Sequence, residues 1–327
     1  MLKNGRGRTV AIFVGAVVLL LAPQVLNTYL VHIGVFILIN AIAVLGLGVL
    51  GGFAGQVSLG QAAFYGIGAY TSSLLATRLG VPFWLGMPTA VVVSAAAGLV
   101  IGVPTLRVAG LYLVMTTIGV NQIAWLVMMN WIPATGGPHG LLAIPAPTIG
   151  SFAFNGPTTY FYLALGFFLL FLFVTLRLVR SRQGLFFRAL SDNELAASMV
   201  GVGTTNAKIL AFVVSAAWAG GAGSLYAHYV GYIHPDNFTL DVSVLFLTMA
   251  IFGGGRSIAG MLIATVVLTG ATEYLRSIGE LRMVGYGLLL LLGMIYMPQG
   301  IGPFLPRLAR YAGELFARRT AAGGALK

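Results

Sequence analysis

Residues 180–207 hold the densest set of charged side chains in an otherwise apolar chain, and we call this segment the charged loop. Apolar residues recur in it at loosely helical spacing, which predicts a short helix from about Leu185 to Val200. A short charged helix between two apolar runs suits docking into a groove on a partner protein, although a solvated connector carries the same mixed charges. The candidate docking residues are Arg188, Asp192, Asn193, Glu194, Ala196, Ala197 and Gly201.

A second group of polar side chains lies inside apolar runs, where each polar group needs a protein partner or water. Three of them follow one another in the glycine-rich stretch 46–70, and two more stand four residues apart on one predicted helix face. They either line a solvated pathway for a zwitterion, with residues 52–60 broken or re-entrant, or bond within tightly packed helices. The candidate pathway residues are Gln56, Ser58, Gln61, Thr117 and Asn121.

Catalytic and metal-binding chemistry has little support in the residue set. The chain has no Cys, and its four His residues, at 32, 139, 228 and 234, lack the spacing of metal ligands. Neither a P-loop nor a serine nucleophile elbow occurs in the sequence. We therefore expect this chain to be no enzyme and to hold no cofactor or metal of its own.

Carboxylates are scarce in the apolar runs as well. Glu273 lies near the predicted external interface, and Arg276, three residues on, can pair with it there. Carriers driven by protons or sodium usually bind the coupling ion with buried carboxylates or His. This scarcity argues against an ion-coupled carrier and places the energy source of any transport outside the chain.

The composition predicts a lipid environment. Of 327 residues, 58% are hydrophobic and 8% are charged, whereas soluble domains average about 25% charged. The net charge of +11 comes from 18 Lys and Arg against 7 Asp and Glu, and the basic residues lie between apolar runs or at the chain ends. That placement is typical of the cytoplasmic flanks of membrane helices rather than of a nucleic-acid-binding face.

The apolar runs predict an all-α, polytopic transmembrane helical bundle of about ten spans, since about 20 helical residues cross a bilayer. The predicted spans are roughly 10–29, 31–51, 60–77, 83–103, 109–130, 159–179, 208–229, 241–255, 258–275 and 283–298. If both termini are cytoplasmic, Arg78, Arg276 and Arg282 are the only Lys or Arg residues on the external side. This distribution agrees with the positive-inside rule. Residues 3–22 also look like a signal peptide, but the lack of an A-x-A-like site favours a first membrane helix.

This topology divides the chain into three parts. Residues 1–9 form a cytoplasmic tail, residues 10–306 the transmembrane domain, and residues 307–327 a basic cytoplasmic tail. Residues 131–158, rich in Pro and Gly and without charge, are expected to form an ordered external loop, which we call the Pro/Gly loop. The charged loop is expected to lie in the cytoplasm.

Several stretches also carry a family resemblance. They are G-x-x-G-x-x-S-L-G from Gly52 to Gly60, GIGAY at 66–70, TLRVAGLYLVMTT at 105–117 and TGGPHGL at 135–141, together with the charged loop. With these stretches the sequence resembles the permeases of branched-chain amino acid ABC importers, in particular the LivM-type subunits. The resemblance covers about residues 35–300.

The resemblance implies a permease subunit of an ATP-driven importer in a bacterial inner (plasma) membrane. Ala196, Ala197 and Gly201 look like a degenerate coupling-helix motif, which in such importers sits in a cleft of a cytoplasmic ATPase. The implied partners are a second homologous permease, two ABC ATPases that bind ATP and Mg²⁺, and an extracytoplasmic substrate-binding protein. The implied substrate is a branched-chain or related hydrophobic amino acid, and the alternatives are urea, short amides or other amino acids.

Overall fold

The computed structural model of the chain describes residues 23–275, apart from 25, 106–109 and 151, together with residue 287. Helices dominate this part of the chain. The α-helices are α1 (Thr28–Leu47), α2 (Gln61–Leu79), α3 (Phe83–Thr105), α4 (Leu111–Asn130), α5 (Ile132–Thr135), α6 (Pro157–Arg180), α7 (Arg182–Asp192), α8 (Glu194–Met199), α9 (Thr204–Val230), α10 (Leu240–Phe252) and α11 (Ile258–Leu275).

Shorter elements connect the long helices. A π-helical segment, Gly48–Phe53, continues α1, and single 3-10 turns cover Gly137–His139 and Pro235–Phe238. Strands β1 (Thr148–Ile149) and β2 (Phe152–Ala153) pair antiparallel in a small hairpin within the Pro/Gly loop. The chain is therefore an all-α bundle in the part that the structure describes, apart from this hairpin.

Six of the described helical segments are long and apolar enough to cross a membrane. They are Thr28–Phe53, Phe83–Thr105, Leu111–Asn130, Pro157–Arg180, Thr204–Val230 and Pro235–Phe252. Ile258–Tyr274 is apolar but shorter, and α2 has 19 residues with polar groups among its buried positions. Large apolar side chains such as Val100 and Leu111 are more than 70% exposed, which lipid or protein must cover.

Eight of the ten predicted spans, from 31–51 to 258–275, coincide with described helices. Most of the predicted span 10–29, all of the span 283–298 and both predicted tails lie outside the described residues. The total of ten spans and the cytoplasmic position of the termini therefore stay predictions.

Helix α9 forms the centre of the bundle and packs against α1, α2 and α3. Its glycines allow the neighbouring backbones to touch. A Cβ atom added at Gly223 would lie 1.9 Å from the Tyr65 carbonyl oxygen of α2, and one added at Gly68 would lie 2.2 Å from the Gly220 carbonyl oxygen. Small residues permit this close approach, which is a common way for helices to associate in lipid.

Helix α6 separates the Pro/Gly loop from the charged loop. Its 24 residues span about 36 Å at 1.5 Å per residue, so the two loops lie at opposite ends of the bundle. The Pro/Gly loop is tied down where Leu141 and Ile233 exchange both backbone hydrogen bonds, at 2.9 and 3.0 Å. Helix α9 thus runs from the charged loop back to the Pro/Gly loop.

The prediction of a single helix from Leu185 to Val200 is wrong. The structure has two helices there, α7 and α8, separated by Asn193 in an extended conformation (φ −162°, ψ 109°). The Asn193 side-chain oxygen accepts a hydrogen bond from the Ala196 amide at 3.0 Å, so this residue caps α8. Asn is a preferred N-cap residue because its side chain competes with the helix for backbone amides.

Candidate functional site

The helical path of the chain is interrupted between α1 and α2, and we call this interruption the break. After the π-helical Gly48–Phe53, residues 54–60 have no helical structure, and α2 begins at Gln61. The Gln61 side-chain nitrogen contacts the Ala43 carbonyl oxygen, ten residues before Phe53, so the segment turns back beside the helix it came from. Ten helical residues span about 15 Å, so residues 54–60 fold back along α1 by about this distance, and we call them the re-entrant stretch.

Non-helical backbone at membrane depth is tolerated only where protein or a water-filled cavity satisfies it. In this stretch one side chain of α4 and one of the stretch itself accept backbone amides. The Thr117 hydroxyl accepts from the Leu59 amide at 3.0 Å and donates to the Val114 carbonyl of its own helix at 2.9 Å. The Ser58 hydroxyl accepts from the Gly60 amide at 3.2 Å. Two of the predicted pathway residues thus hold the break in shape.

Gln61 uses its side-chain amide within the chain. Its nitrogen donates to the carbonyl oxygens of Ala43 at 2.9 Å and Ser215 at 3.3 Å, and its oxygen accepts from the Ser215 hydroxyl at 2.9 Å. These bonds join α1, α2 and α9 at one buried point. Gln61 therefore fixes the place where α2 begins.

Asn121 stands beside the N-terminus of α2. Ser243 connects the two, because its hydroxyl accepts from the Ala62 amide at 2.8 Å and donates to the Asn121 side-chain oxygen at 3.3 Å. All of these groups are buried. Asn121 Nδ2 and Gln56 Oε1 are buried atoms that find no hydrogen-bond partner among the described residues.

On the side of the break that faces the charged loop, three segments of the chain meet. They are residues 52–55, 188–192 and 253–256, and we call their contact the junction. A Cβ atom added at Gly52 would lie 1.7 Å from the Gly255 carbonyl oxygen, and one at Gly55 would lie 2.9 Å from the Ser191 hydroxyl. The Arg188 guanidinium lies 5.8 Å from the centre of the Phe53 ring. The charged loop therefore rests directly on the break.

Ion pairs hold the charged loop to the rest of the bundle. Arg256 binds the Asp192 carboxylate at 2.6 Å and the Ser191 hydroxyl at 3.0 Å. The buried Lys208 ammonium on α9 lies 2.5 Å from the Glu194 carboxylate. Two of the predicted docking residues, Asp192 and Glu194, are thus engaged within the chain in this structure.

Comparison with known proteins decides the family. A family model described as "Branched-chain amino acid transport system / permease component" matches residues 29–297. This chain belongs to that permease family. No solved structure gives a significant match.

Curated relatives agree with this family assignment. The permease described here is 36% identical to the high-affinity branched-chain amino acid transport system permease protein LivM of Salmonella typhimurium, over 89% of this chain and 74% of the relative. It is 35% identical to LivM of Escherichia coli K12, over 86% and 72% respectively. The permease protein LivH of the same Escherichia coli strain is 28% identical, over 80% of this chain and 90% of LivH.

The remaining predicted docking residues of the permease fall into two groups. Ala196 and Arg188 are exposed, whereas Ala197 is buried. Gly201 has φ +84° and follows the end of α8, a conformation that favours glycine. The charged loop also exposes Leu195, Met199 and Val200, each by 68% or more. The charged loop thus presents apolar side chains to its surroundings beside its charged ones.

Three of the four histidines, all of which lie in the described residues, make hydrogen-bond contacts inside the permease. His32 Nδ1 lies 2.6 Å from the Tyr229 hydroxyl, His228 Nδ1 2.7 Å from the Pro145 carbonyl oxygen, and His234 Nε2 2.8 Å from that of Pro138. Among the described residues no group of three His, Cys, Asp or Glu side chains could hold a metal. Arg276 of the predicted interfacial pair lies outside the described residues.

Sequence reasoning missed two residues of this arrangement. Ser243, which links Asn121 to α2, is a serine near the start of an apolar helix and has no distinguishing pattern. Arg256, which holds Asp192, follows three glycines in the sequence, and its position within the predicted cytoplasmic turn is a weak signal. Both contacts join segments more than 60 residues apart.

Proposed function

We propose that this chain is a membrane-spanning permease subunit of an ATP-driven ABC importer for branched-chain or related hydrophobic amino acids. In this proposal it spans a bacterial inner membrane ten times with both termini in the cytoplasm. It pairs with a second homologous permease, two cytoplasmic ATPases and an extracytoplasmic binding protein. The names of the LivM and LivH relatives support the substrate, and their joint similarity to this chain supports pairing with a homologue.

The junction is the observation that carries the mechanism. The exposed apolar residues of α8 offer a contact surface for an ATPase, and the same loop touches the break through Gly55 and Phe53. ATP-driven closure of the ATPase pair would push on the charged loop, and the loop would move the re-entrant stretch. ATP and Mg²⁺ are bound by the ATPases, which fits a chain without a nucleotide motif.

The re-entrant stretch and α4 would line the translocation pathway. Thr117 of α4 binds the stretch at Leu59, next to Ser58. Gln56 on the stretch and Asn121 on α4 each keep a buried polar atom without a partner among the described residues. Gln61 acts as the anchor of α2 rather than as a group open to substrate. A movement of the break would therefore open or close this polar contact.

Transport by the reconstituted complex tests the proposal. Proteoliposomes that hold the permease pair and its cognate ATPases should accumulate labelled leucine only with ATP, Mg²⁺ and binding protein. Accumulation by the permeases alone, driven by an ion gradient, would refute it and favour a secondary carrier. ATP-dependent uptake of urea or a short amide in place of leucine would support the ATP-driven importer but contradict the proposed substrate.

The docking surface is tested by reversing two charges, Arg188→Glu with Glu194→Lys. We expect ATP-dependent leucine uptake to fall about tenfold or more, since an unpaired buried charge remains at Lys208 and like charges repel across an interface. The measurement is uptake per assembled complex, with ATPase subunits quantified after co-purification. Arg182→Glu, six residues before Arg188 in the same loop, is the matched control. Undiminished uptake by the double variant would contradict the role of this loop.

The Asp192–Arg256 pair is tested by exchanging its charges. Asp192→Arg alone places two guanidinium groups together at the junction, and we expect uptake to fall about fivefold while stability changes by about 1 kcal/mol or less, because the pair is half-exposed. Adding Arg256→Asp restores the pair with opposite polarity and should restore most of the uptake. A double variant no better than Asp192→Arg would mean that the pair does not transmit movement.

A further inference from the structure

We infer that the N-terminus of α2 and the side-chain amide of Asn121 together bind the carboxylate of the transported amino acid. This inference rests on the proposed function and names the chemical group that one buried part of the pathway recognises. It assigns Asn121 a direct contact with the substrate and Ser243 a positioning role, because the Ser243 hydroxyl holds the Asn121 side-chain oxygen.

The first observation is a buried helix N-terminus without a counter-charge on its own helix. Helix α2 starts at Gln61 in the bundle interior, and its first turn has no acidic residue. The N-terminus of a helix carries about half a positive charge, which attracts anions most strongly where water is excluded. Broken helices whose N-termini point at an anionic substrate group are a recurring design of membrane transporters.

The second observation is independent of the helix and concerns Asn121. Its side chain is 1% exposed, and Nδ2 has no hydrogen-bond partner among the described residues. Its oxygen is held by the Ser243 hydroxyl, which in turn receives the Ala62 amide of α2. The amide is therefore oriented with its oxygen engaged and its N–H donor available beside the N-terminus of α2. A buried donor of this kind requires an acceptor.

A carboxylate meets both requirements. Its oxygens accept several hydrogen bonds, and its charge complements the helix N-terminus. The complementary group of an amino acid is the ammonium, a donor, and the unsatisfied Gln56 Oε1 on the re-entrant stretch is an acceptor. The chain thus holds a buried donor at Asn121 and a buried acceptor at Gln56, the two kinds of group that a zwitterion requires.

The structure shows this site in a closed state. Ser58, Thr117, Asn121 and Ser243 are each 2% exposed or less. A ligand can reach Asn121 only if the re-entrant stretch moves away from α4, and the bond from the Leu59 amide to Thr117 would then break. The junction bears on the same stretch, so opening of the site and movement of the charged loop are linked.

The inference is tested first on the unmodified complex. Saturation-transfer NMR on the permease–ATPase complex in nanodiscs, without binding protein, would compare leucine with leucinol, which keeps the ammonium but lacks the carboxylate. We expect transfer to leucine and about 10-fold weaker binding of leucinol, the loss typical of a removed hydrogen bond to a charged group. Equal binding of both, or no transfer to leucine, overturns the inference.

Two variants locate the carboxylate at Asn121. We expect Asn121→Leu to lower ATP-dependent uptake about 10-fold. Asn121→Asp should lower it further, because the introduced carboxylate repels the carboxylate of the substrate. Asn130→Asp is the matched control on the same helix, where Asn130 is exposed and donates to the Leu126 carbonyl, and uptake should stay within about twofold.

The outcomes separate the two proposals. Wild-type complex without ATP-driven uptake would refute the proposed function and the site together. ATP-driven uptake that persists within twofold in both Asn121 variants would refute the site alone. If an Asn121 variant fails to assemble with its ATPases, the leucinol comparison on wild-type protein still decides.

Discussion

Replacing Gly223 by valine is expected to prevent the permease from folding. A Cβ atom there would lie 1.9 Å from the Tyr65 carbonyl oxygen and 3.0 Å from the Ala69 amide nitrogen of α2. Both are backbone atoms of a helix, so neither can move without separating α9 from α2. Overpacking of an interior costs about 1–3 kcal/mol when the neighbouring groups can adjust, and a clash with the backbone of a packed helix exceeds this range.

The measurement is the yield of monodisperse protein in mild detergent and its thermal unfolding. We expect the yield of Gly223→Val to fall about tenfold or more, as for a substitution that removes most of a protein's stability. Gly119→Val on α4 is the control, since a Cβ atom there meets nothing within 4 Å. A well-folded Gly223→Val protein would mean that α2 and α9 do not pack with their backbones in contact.

The sequence predicted the kind of packing in this region but not the partners. Glycine spacing in residues 46–70 offered close helix contacts as one of two interpretations. Spacing along one helix cannot say which other helix it meets. The contact of Gly223 with Tyr65 joins positions 158 residues apart, and that of Gly52 with Gly255 joins positions 203 apart. Such pairs follow from tertiary packing alone.

The polar residues show the same limit. The pattern indicated that Gln61 and Asn121 are buried polar groups, yet it left a pathway and a packing role open for each. The hydrogen bonding of the two side chains differs in the structure. Gln61 uses its whole amide to fix α2, whereas Asn121 keeps a donor without a partner among the described residues. The spacing of Ser215 and Ser243 in the sequence could not show that they are the partners of these two amides.

Helix ends were predicted less well than helix positions. The D-N-E sequence at 192–194 contains a strong N-cap residue, but the apolar spacing around it indicated one continuous helix. Local capping by Asn193 prevailed over that spacing. A small, polar residue between two charges was therefore the available signal for the division into α7 and α8.

Replacing Gly52 by alanine is expected to lower transport strongly while the permease still folds and assembles. The added Cβ would lie 1.7 Å from the Gly255 carbonyl oxygen, so the turn 253–256 must move off the break. That turn is not helical, and Gly254 and Gly255 have φ of +86° and +47°. It can therefore shift where a helix backbone cannot, and we expect a loss of stability of only about 1–3 kcal/mol.

Transport should suffer far more than stability, because the displaced turn carries Arg256 and with it the contact to Asp192. We expect ATP-dependent uptake to fall about 20-fold, with ATP hydrolysis by the assembled complex largely retained, since the charged loop still offers its exposed residues to an ATPase. Gly51→Ala is the matched control one position earlier, where the nearest atom to the added Cβ is 3.8 Å away.

If Gly52→Ala lowers hydrolysis and uptake in equal proportion, the defect lies in ATPase docking. If uptake persists, the contact between the break and the turn plays no part in transmission. Only hydrolysis without uptake identifies the junction as the link through which movement of the charged loop reaches the re-entrant stretch.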